Sequence, residues 1–192
     1  VLDHNIYKST GLHFNGNAYA NINLLKGLDF KTQIATQYIA GEDYLYWNPN
    51  HGDGRSVTGR IYQYYLPNFR YNWQNTLNYK VDFGTSRLDV VAGLEYQKSK
   101  GRNFFAHGTG LSSTYFAENE NIISGSLTNQ LLGGGASERA FQSSFARANY
   151  VLMDKYFVSA TLRHDKISSL PHGKQSATLP GVSLGWDVAR ED

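Results

Sequence analysis

The most regular pattern of the chain is an alternation of apolar and polar positions between residues 12 and 24. Even positions carry apolar or small side chains, and odd positions carry His, Asn or Tyr. A period of two predicts a β-strand, and this one is roughly twice as long as an ordinary globular strand. A transmembrane strand needs only about 9–11 residues. The pattern therefore predicts a strand with one face toward lipid and the other toward water.

The same alternation recurs along the chain and predicts seven strands connected up and down. Residues 28–40 repeat it directly after Lys26-Gly27, a pair typical of a tight hairpin turn. Pro67 is expected at a bulge in the third strand, because proline cannot donate a ladder hydrogen bond. The predicted strands cover residues 12–24, 28–40, 59–81, 87–97, 139–152, 156–164 and 178–188.

The predicted connections alternate between short and long. Short turns are expected at 25–27, 82–86 and 153–155, and long polar loops at about 41–58, 101–138 and 165–177. This is the layout of an outer-membrane β-barrel, which also carries aromatic girdles at the membrane boundaries. The aromatic residues expected in a girdle near the short turns are Tyr79, Phe83, Tyr150, Tyr156, Phe157 and Trp186.

Seven strands cannot close a bacterial barrel, since single-chain barrels there have even strand numbers from 8 upward. An open sheet would leave two unpaired edges and a large exposed apolar face. We therefore expect residues 1–192 to be one segment of a larger all-β, antiparallel, up-and-down transmembrane β-barrel that continues beyond both ends.

Composition narrows the choice of function. The net charge of +2 is too small to indicate a nucleic-acid partner, and the absence of cysteine excludes disulfides and thiol catalysis. The six histidines lack metal-ligand spacing, and no Gly-x-Ser-x-Gly elbow is present. Gly133-Gly134-Gly135 lacks the Lys-Ser/Thr of a phosphate-binding loop and is interpreted as a flexible loop. We expect no enzyme activity, cofactor or metal.

Four sequence runs resemble the SusC/RagA-type TonB-dependent transporters of Bacteroidota. Two of them form a predicted hairpin, Phe145–Tyr150 (FARANY) and Asp154–Arg163 (DKYFVSATLR). A third, Leu179–Glu191 (LPGVSLGWDVARE), follows in the family's order. The fourth combines TLNY at 76–79 with LDVVAGLEYQ at 88–97. The resemblance covers about residues 76–191, whereas residues 1–75 match in pattern alone. The chain departs from the family at His164, Lys166, Leu170 and Asp187.

The resemblance implies a plugged barrel of about 22 strands in the outer membrane of a Gram-negative bacterium. Such barrels import bulky nutrients, commonly oligosaccharides or peptides. A SusD-like lipoprotein caps the extracellular mouth, and TonB supplies energy through the plug and the N-terminal region, which are absent from this chain. These 192 residues would supply barrel wall and extracellular loops.

Candidate ligand-binding residues lie in the first long loop. Tyr46 and Trp47 could stack on a sugar ring, while Asn48, Asp53 and Arg55 could bond its hydroxyls. The alternatives are that these aromatic residues pack on the barrel rim or the cap, or that the Asp and Asn oxygens bind calcium, although the spacing is not that of an EF-hand. The second long loop offers further contacts to cap or substrate: Arg102, Phe104, Phe105, Tyr115, Phe116 and Glu118.

The polar faces of the predicted strands would line the barrel interior and hydrogen-bond the plug or water. Their residues include Asn15, Asn17, Asn21, Asn23, Lys31, Gln33, Arg70, Asn72, Gln74, Arg87, Asp89, Arg147, Asn149 and Arg163. Two other classes of protein remain open at this stage. A passive porin shares the strand pattern, and a surface β-sandwich that binds glycans would have shorter strands.

Overall fold

The computed structural model of the chain describes residues 5–111 and 128–190. Within these ranges the chain forms a seven-stranded antiparallel sheet in the order β1-β2-β3-β4-β5-β6-β7, so every strand pairs with its sequence neighbour. The strands are β1 Ile6–Leu25, β2 Leu28–Trp47, β3 Arg60–Phe83, β4 Ser86–Thr109, β5 Asn129–Leu152, β6 Tyr156–Ile167 and β7 Ser176–Trp186. A single-turn helix α1 covers Gly52–Arg55, and a 3₁₀ turn covers Val188–Arg190.

The three short turns lie where the sequence predicts them. Gly27 and Gly84 adopt the left-handed backbone (φ 78° and 66°) that tight hairpins require. Between β5 and β6 the left-handed residues are Met153 and Asp154, with φ of 55° and 53°. The N–H of Lys155 closes this turn on the carbonyl of Leu152 at 3.1 Å.

The strands extend well into the segments predicted as long loops. Residues 41–47, 101–109, 129–138, 165–167 and 176–177 are strand. The first connection is therefore shortened to residues 48–59 and the third to 168–175. β3 also continues through Pro67, the residue that the sequence predicts at a bulge. The reason is that strands are defined by backbone pairing with their neighbours, which continues where the side-chain alternation that predicted them has ended.

The register of the last hairpins agrees with the predicted alternation. Ala148 pairs with Ala160, which in turn pairs with Val182, so these three predicted lipid-facing residues form one row across β5, β6 and β7. Phe157 pairs with Gly185, and Tyr156 pairs with Trp186. The apolar face is strongly exposed: Val182 and Leu184 keep 76% and 79% of their accessible surface. Such a face needs a covering that the described chain does not supply.

The contacts divide the chain into two compact units. The first consists of Val1–Phe14, Gln37–Phe69 and Lys100–Glu138, and the second of Asn15–Thr36, Arg70–Ser99 and Arg139–Asp192. The first unit contains the buried cluster Tyr44, Tyr46, Ile61 and Leu111. In the second unit, Trp73 Nε1 donates to Thr32 Oγ1 at 3.1 Å, and the rings of Tyr71 and Tyr96 lie 5.9 Å apart.

Candidate functional site

The connection between β2 and β3 is a compact structure. The N–H of Gly59 donates to the carbonyl of Gly54 at 2.7 Å, and the N–H of Leu111 donates to the carbonyl of Thr58 at 2.7 Å. Gly54 is buried against the backbone of Trp47 and Asn48, where a Cβ would lie 3.1 Å from the Trp47 carbonyl carbon. These contacts hold residues 48–59 against the ends of the strands.

Asn48 organises the exit of the chain from β2. Its N–H donates to Asn5 Oδ1 at 2.8 Å, and its own Oδ1 accepts from the N–H of Asn50 at 2.8 Å. An Asn side chain that binds the backbone two residues ahead forms an Asx turn. The side-chain oxygen of Asn48 is thus engaged in the turn, which leaves its amide NH2 group for a ligand.

Asp53 and Arg55 lie on α1, and both side chains are exposed. The carbonyl of Asp53 accepts from Ser56 Oγ at 3.1 Å, a contact that leaves its carboxylate outside the helix hydrogen bonding. The two charged groups are therefore accessible at the surface of the connection.

Tyr46 lies in a different environment from the one predicted. Its side chain is 1% exposed and packs in the cluster with Tyr44, Ile61 and Leu111. Burial raises the pKa of the Tyr46 hydroxyl, which has no hydrogen-bond partner among the described residues. A ring that is enclosed on this scale cannot stack on a sugar, so the stacking role predicted for Tyr46 is not available in this structure. The cause is the side-chain alternation of β2, which turns Tyr44 and Tyr46 to one face and Trp47 to the other.

Trp47 is partly exposed, and the guanidinium group of Arg60 lies over its ring. The Cζ atom of Arg60 is 4.6 Å from the centroid of the Trp47 ring. This distance is within the range of a cation–π contact. The Nε atom of Arg60 is buried and has no hydrogen-bond partner among the described residues. No ion pair joins Arg60 to a carboxylate in the part of the chain that the structure describes. Trp47 and Arg60 thus form a positively charged surface.

Three further aromatic rings and one imidazole extend this surface along β3 and β4. The Tyr62 ring stacks on Tyr64 and on Phe105, with centroids 6.2 Å apart in both pairs and interplanar angles of 14° and 24°. His107 lies 6.4 Å from Tyr62. We call these residues the aromatic tract: Trp47, Arg60, Tyr62, Tyr64, Phe105 and His107. All six side chains are partly exposed.

The sequence predicts only part of the tract. Trp47 and Phe105 are predicted as loop contacts, whereas Arg60, Tyr62 and Tyr64 are predicted in the wall of the third strand and His107 in a loop. The missed signal lies at positions 62 and 64, which hold tyrosines instead of the non-aromatic polar side chains found at Asn72 and Gln74. Of the other predicted loop contacts, Tyr115, Phe116 and Glu118 lie outside the described residues.

The second unit holds a polar cluster among residues predicted to line the interior. Asn72 Nδ2 donates to Glu95 Oε1 at 3.1 Å, and Glu95 also lies 3.6 Å from a guanidinium nitrogen of Arg163. Arg163 Nε donates to both carboxylate oxygens of Asp165 at 2.8 and 3.1 Å. The guanidinium carbon lies 5.8 Å from the rings of both Phe141 and Phe145. One arginine thus balances two carboxylates on this face.

Two further observations concern the described residues. No three His, Cys, Asp or Glu side chains among them are grouped as metal ligands. No helix within residues 5–111 and 128–190 is long and apolar enough to cross a membrane.

Comparison with known proteins shows similarity to TonB-dependent receptors. The chain is 26% identical over 183 residues to TonB-dependent receptor P3 of Formosa agariphila. The matched stretch covers 93% of this chain and 18% of the receptor. It is 29% identical over 162 residues to TonB-dependent receptor SusC of Bacteroides thetaiotaomicron, covering 84% of this chain and 14% of SusC. No family model matches the chain. The chain therefore spans less than a fifth of the length of these two relatives.

A solved structure shows the same fold. The RagAB peptide transporter matches 98% of this chain with a TM-score of 0.86 and 22% sequence identity, over 21% of the transporter chain. Together these findings confirm the resemblance to SusC/RagA-type TonB-dependent transporters that the wall motifs predicted. They also confirm the predicted fold class, since seven antiparallel up-and-down strands match a stretch of a TonB-dependent barrel and leave the sheet open.

Proposed function

We propose that this chain is wall and extracellular loops of a TonB-dependent transporter that actively imports bulky nutrients, oligosaccharides or peptides, across the outer membrane. One observation carries the proposal: a continuous sheet of long antiparallel strands, similar over nearly its whole length to TonB-dependent receptors, presents an apolar face that the described residues leave exposed. A lipid bilayer is the covering that such a face requires.

The partners follow from the same reading. TonB acts through a plug and an N-terminal region of the complete transporter, and a SusD-like lipoprotein closes the extracellular mouth. The polar faces of the strands line the interior, where the cluster around Arg163 and Glu95 supplies donors and acceptors for the plug or for water. The chain itself has no catalytic role in this proposal.

Trp47, Asn48, Asp53 and Arg55 are proposed as substrate contacts at the mouth of the barrel. The support is their accessibility: Asp53 and Arg55 are exposed, and Trp47 and Asn48 are partly exposed. Tyr46 serves a different role, because its buried ring anchors the strand end from which Trp47 projects.

The test is uptake by cells that carry the complete natural gene. Labelled oligosaccharides and peptides are offered to the parent strain, to a strain lacking this gene and to a strain lacking TonB. Active import requires that uptake be lost in both mutants and abolished by a protonophore. Uptake that survives loss of TonB and the protonophore would instead indicate a passive porin. Recovery of the complete protein from the soluble fraction would contradict the membrane assignment.

A further inference from the structure

We infer that the aromatic tract is the binding surface for the substrate of the proposed transporter, and that this substrate is an oligosaccharide that bears carboxylate groups. The inference rests on the proposed function and adds to it a substrate class and a set of residues. Of the six residues in the tract, Trp47 alone belongs to the set of loop contacts proposed above.

The β3 residues of the tract all lie on one face of that strand. Arg60, Tyr62 and Tyr64 occupy even positions of β3, as do Arg70, Asn72 and Gln74, which are predicted to face the interior. The odd positions of this stretch turn the other way: Ile61 lies in the buried cluster, and Gln63 donates to Glu42 at 2.9 Å. The tract thus shares the side of β3 that a substrate would meet on its way through the barrel.

The shape of the aromatic tract is set by its stacked rings. The Tyr62 ring lies 14° from parallel with Tyr64 and 24° from parallel with Phe105. Gly133 on β5 leaves room for the Phe105 ring, because a side chain there would clash with it. Nearly parallel, partly exposed rings present a broad apolar surface with hydroxyl groups at its edges. Six-membered sugar rings, with apolar faces and peripheral hydroxyls, complement such a surface.

The guanidinium group of Arg60 gives the aromatic tract a positive charge. The guanidinium group of Arg60 lies over the Trp47 ring, and it has no carboxylate partner among the described residues. A guanidinium group binds a carboxylate through parallel hydrogen bonds, and these are stronger than those between neutral groups. A ligand that stacks on the rings and carries a carboxylate would satisfy both parts of the tract at once.

The position of the tract inside the sheet favours a sugar over an extended peptide as its ligand. Extended peptides are commonly recognised by adding a strand to a free sheet edge, where main-chain groups are available. The tract lies on β2, β3 and β4. Each of these strands has a neighbouring strand on both sides, because β1 flanks β2 and β5 flanks β4. Main-chain recognition of this kind is therefore not available at the tract, and binding must come from side chains.

The test measures binding to the complete transporter, purified in detergent, by calorimetry. The probes are an oligogalacturonate, a neutral galacto-oligosaccharide of the same length, and an acidic Glu/Ala peptide. We expect the oligogalacturonate to bind most tightly. Replacing Arg60→Gln should weaken its binding about 10-fold or more, since hydrogen bonds to charged groups are lost. The same change should leave binding of the neutral sugar within about 2-fold, because charge plays little part there.

Control variants separate the tract from its surroundings. Lys100→Gln removes one positive charge from an exposed position of opposite parity on β4, and it should leave binding unchanged. Tyr62→Ala should weaken both sugars, whereas Tyr62→Phe keeps the ring and should retain most of the affinity. Tyr65→Ala alters the opposite face, where Tyr65 lies 3.3 Å from the Tyr38 hydroxyl, and should have no effect.

The outcomes are distinct. Tighter binding of the acidic peptide, equal effects of Arg60→Gln and Lys100→Gln, or no binding of either sugar would each overturn the inference. Binding of the oligogalacturonate without TonB-dependent uptake of it would leave the tract as a binding surface and contradict the proposed function. TonB-dependent uptake that is unaffected by Arg60→Gln and Tyr62→Ala would contradict the tract and leave the transporter intact.

Discussion

The ring of Phe145 on β5 covers Gly93 on β4 so closely that a Cβ at position 93 would lie 2.9 Å from both Cε atoms of the ring. The same relationship joins Phe105 on β4 to Gly133 on β5, with the two residue types exchanged between the strands. An aromatic ring that lies across a neighbouring glycine covers backbone which would otherwise be exposed and helps to fix the register of the two strands. Neither glycine has the left-handed backbone of a turn, so the reason for glycine at both positions is space.

The first prediction concerns this packing. Gly93→Ala should destabilise the complete protein by about 1–3 kcal/mol, because the Phe145 ring must move. Gly41→Ala is the matched control, since nothing lies within 4 Å of a Cβ there, and it should be neutral or slightly stabilising. Denaturant unfolding in lipid vesicles measures both. If Phe145→Leu fails to relieve the cost of Gly93→Ala, the clash with the ring is not its cause.

The second prediction tests which face of the sheet meets lipid. Ala160 lies on the exposed apolar face in register with Val182, and Gln74 lies on the polar face of β3. Ala160→Arg should cost about 2–4 kcal/mol if the site is near the bilayer midplane, because a charge would enter the hydrocarbon. Gln74→Arg should cost much less. Equal losses of refolding free energy for the two variants would show that the facing assignment is wrong.

The third prediction concerns the balance of charge around Arg163. Arg163→Gln leaves Glu95 and Asp165 without their shared cation, and both carboxylates are less than one-fifth exposed. We expect a loss of about 1–2 kcal/mol, between the values for exposed and for buried ion pairs.

Adding Glu95→Gln to Arg163→Gln should recover part of this loss, and the measurement is a double-mutant cycle by chemical unfolding. A double variant that loses the full sum of the two single effects would show that Arg163 and Glu95 do not interact. Lys100→Gln is a suitable comparison, since its pair with Glu138 is more than half exposed and should contribute little.

The fourth prediction uses the buried hydroxyl of Tyr46. Burial raises its pKa above the ordinary value of 10.0, so the unfolded state releases this proton at a lower pH than the folded state. The stability that Tyr46 contributes is therefore complete below about pH 10 and is lost as the pH rises through the folded pKa. Tyr46→Phe should abolish this part of the alkaline loss.

The difference between wild-type and Tyr46→Phe unfolding curves, measured from pH 8 to pH 11, isolates this effect from the other tyrosines. At neutral pH the substitution should be neutral or slightly stabilising, because the hydroxyl has no hydrogen-bond partner among the described residues. Tyr46→Ala should cost about 3–5 kcal/mol through the cavity it leaves. Identical pH profiles for wild type and Tyr46→Phe would contradict burial of the hydroxyl.

The sequence by itself determined the strand content, the order of the strands and the positions of the short turns. A period of two is a local property that each strand carries in its own residues, and a two-residue turn leaves the chain no choice except to pair adjacent strands. The wall motifs were also sufficient to indicate the TonB-dependent receptors to which the chain is similar. These features needed no knowledge of distant contacts.

The candidate site could be predicted only in part. Trp47 and Phe105 were found as aromatic residues in polar surroundings, but Tyr46 beside them turned out to be buried, and Arg60 and Tyr62 were not recognised. The tertiary structure decided these points, because the fate of a side chain at a strand end depends on which neighbouring strands continue that far. β2 and β4 extend to Trp47 and Thr109, and this extension brings Arg60 onto Trp47 and Phe105 onto Tyr62 while Ile61 and Leu111 enclose Tyr46.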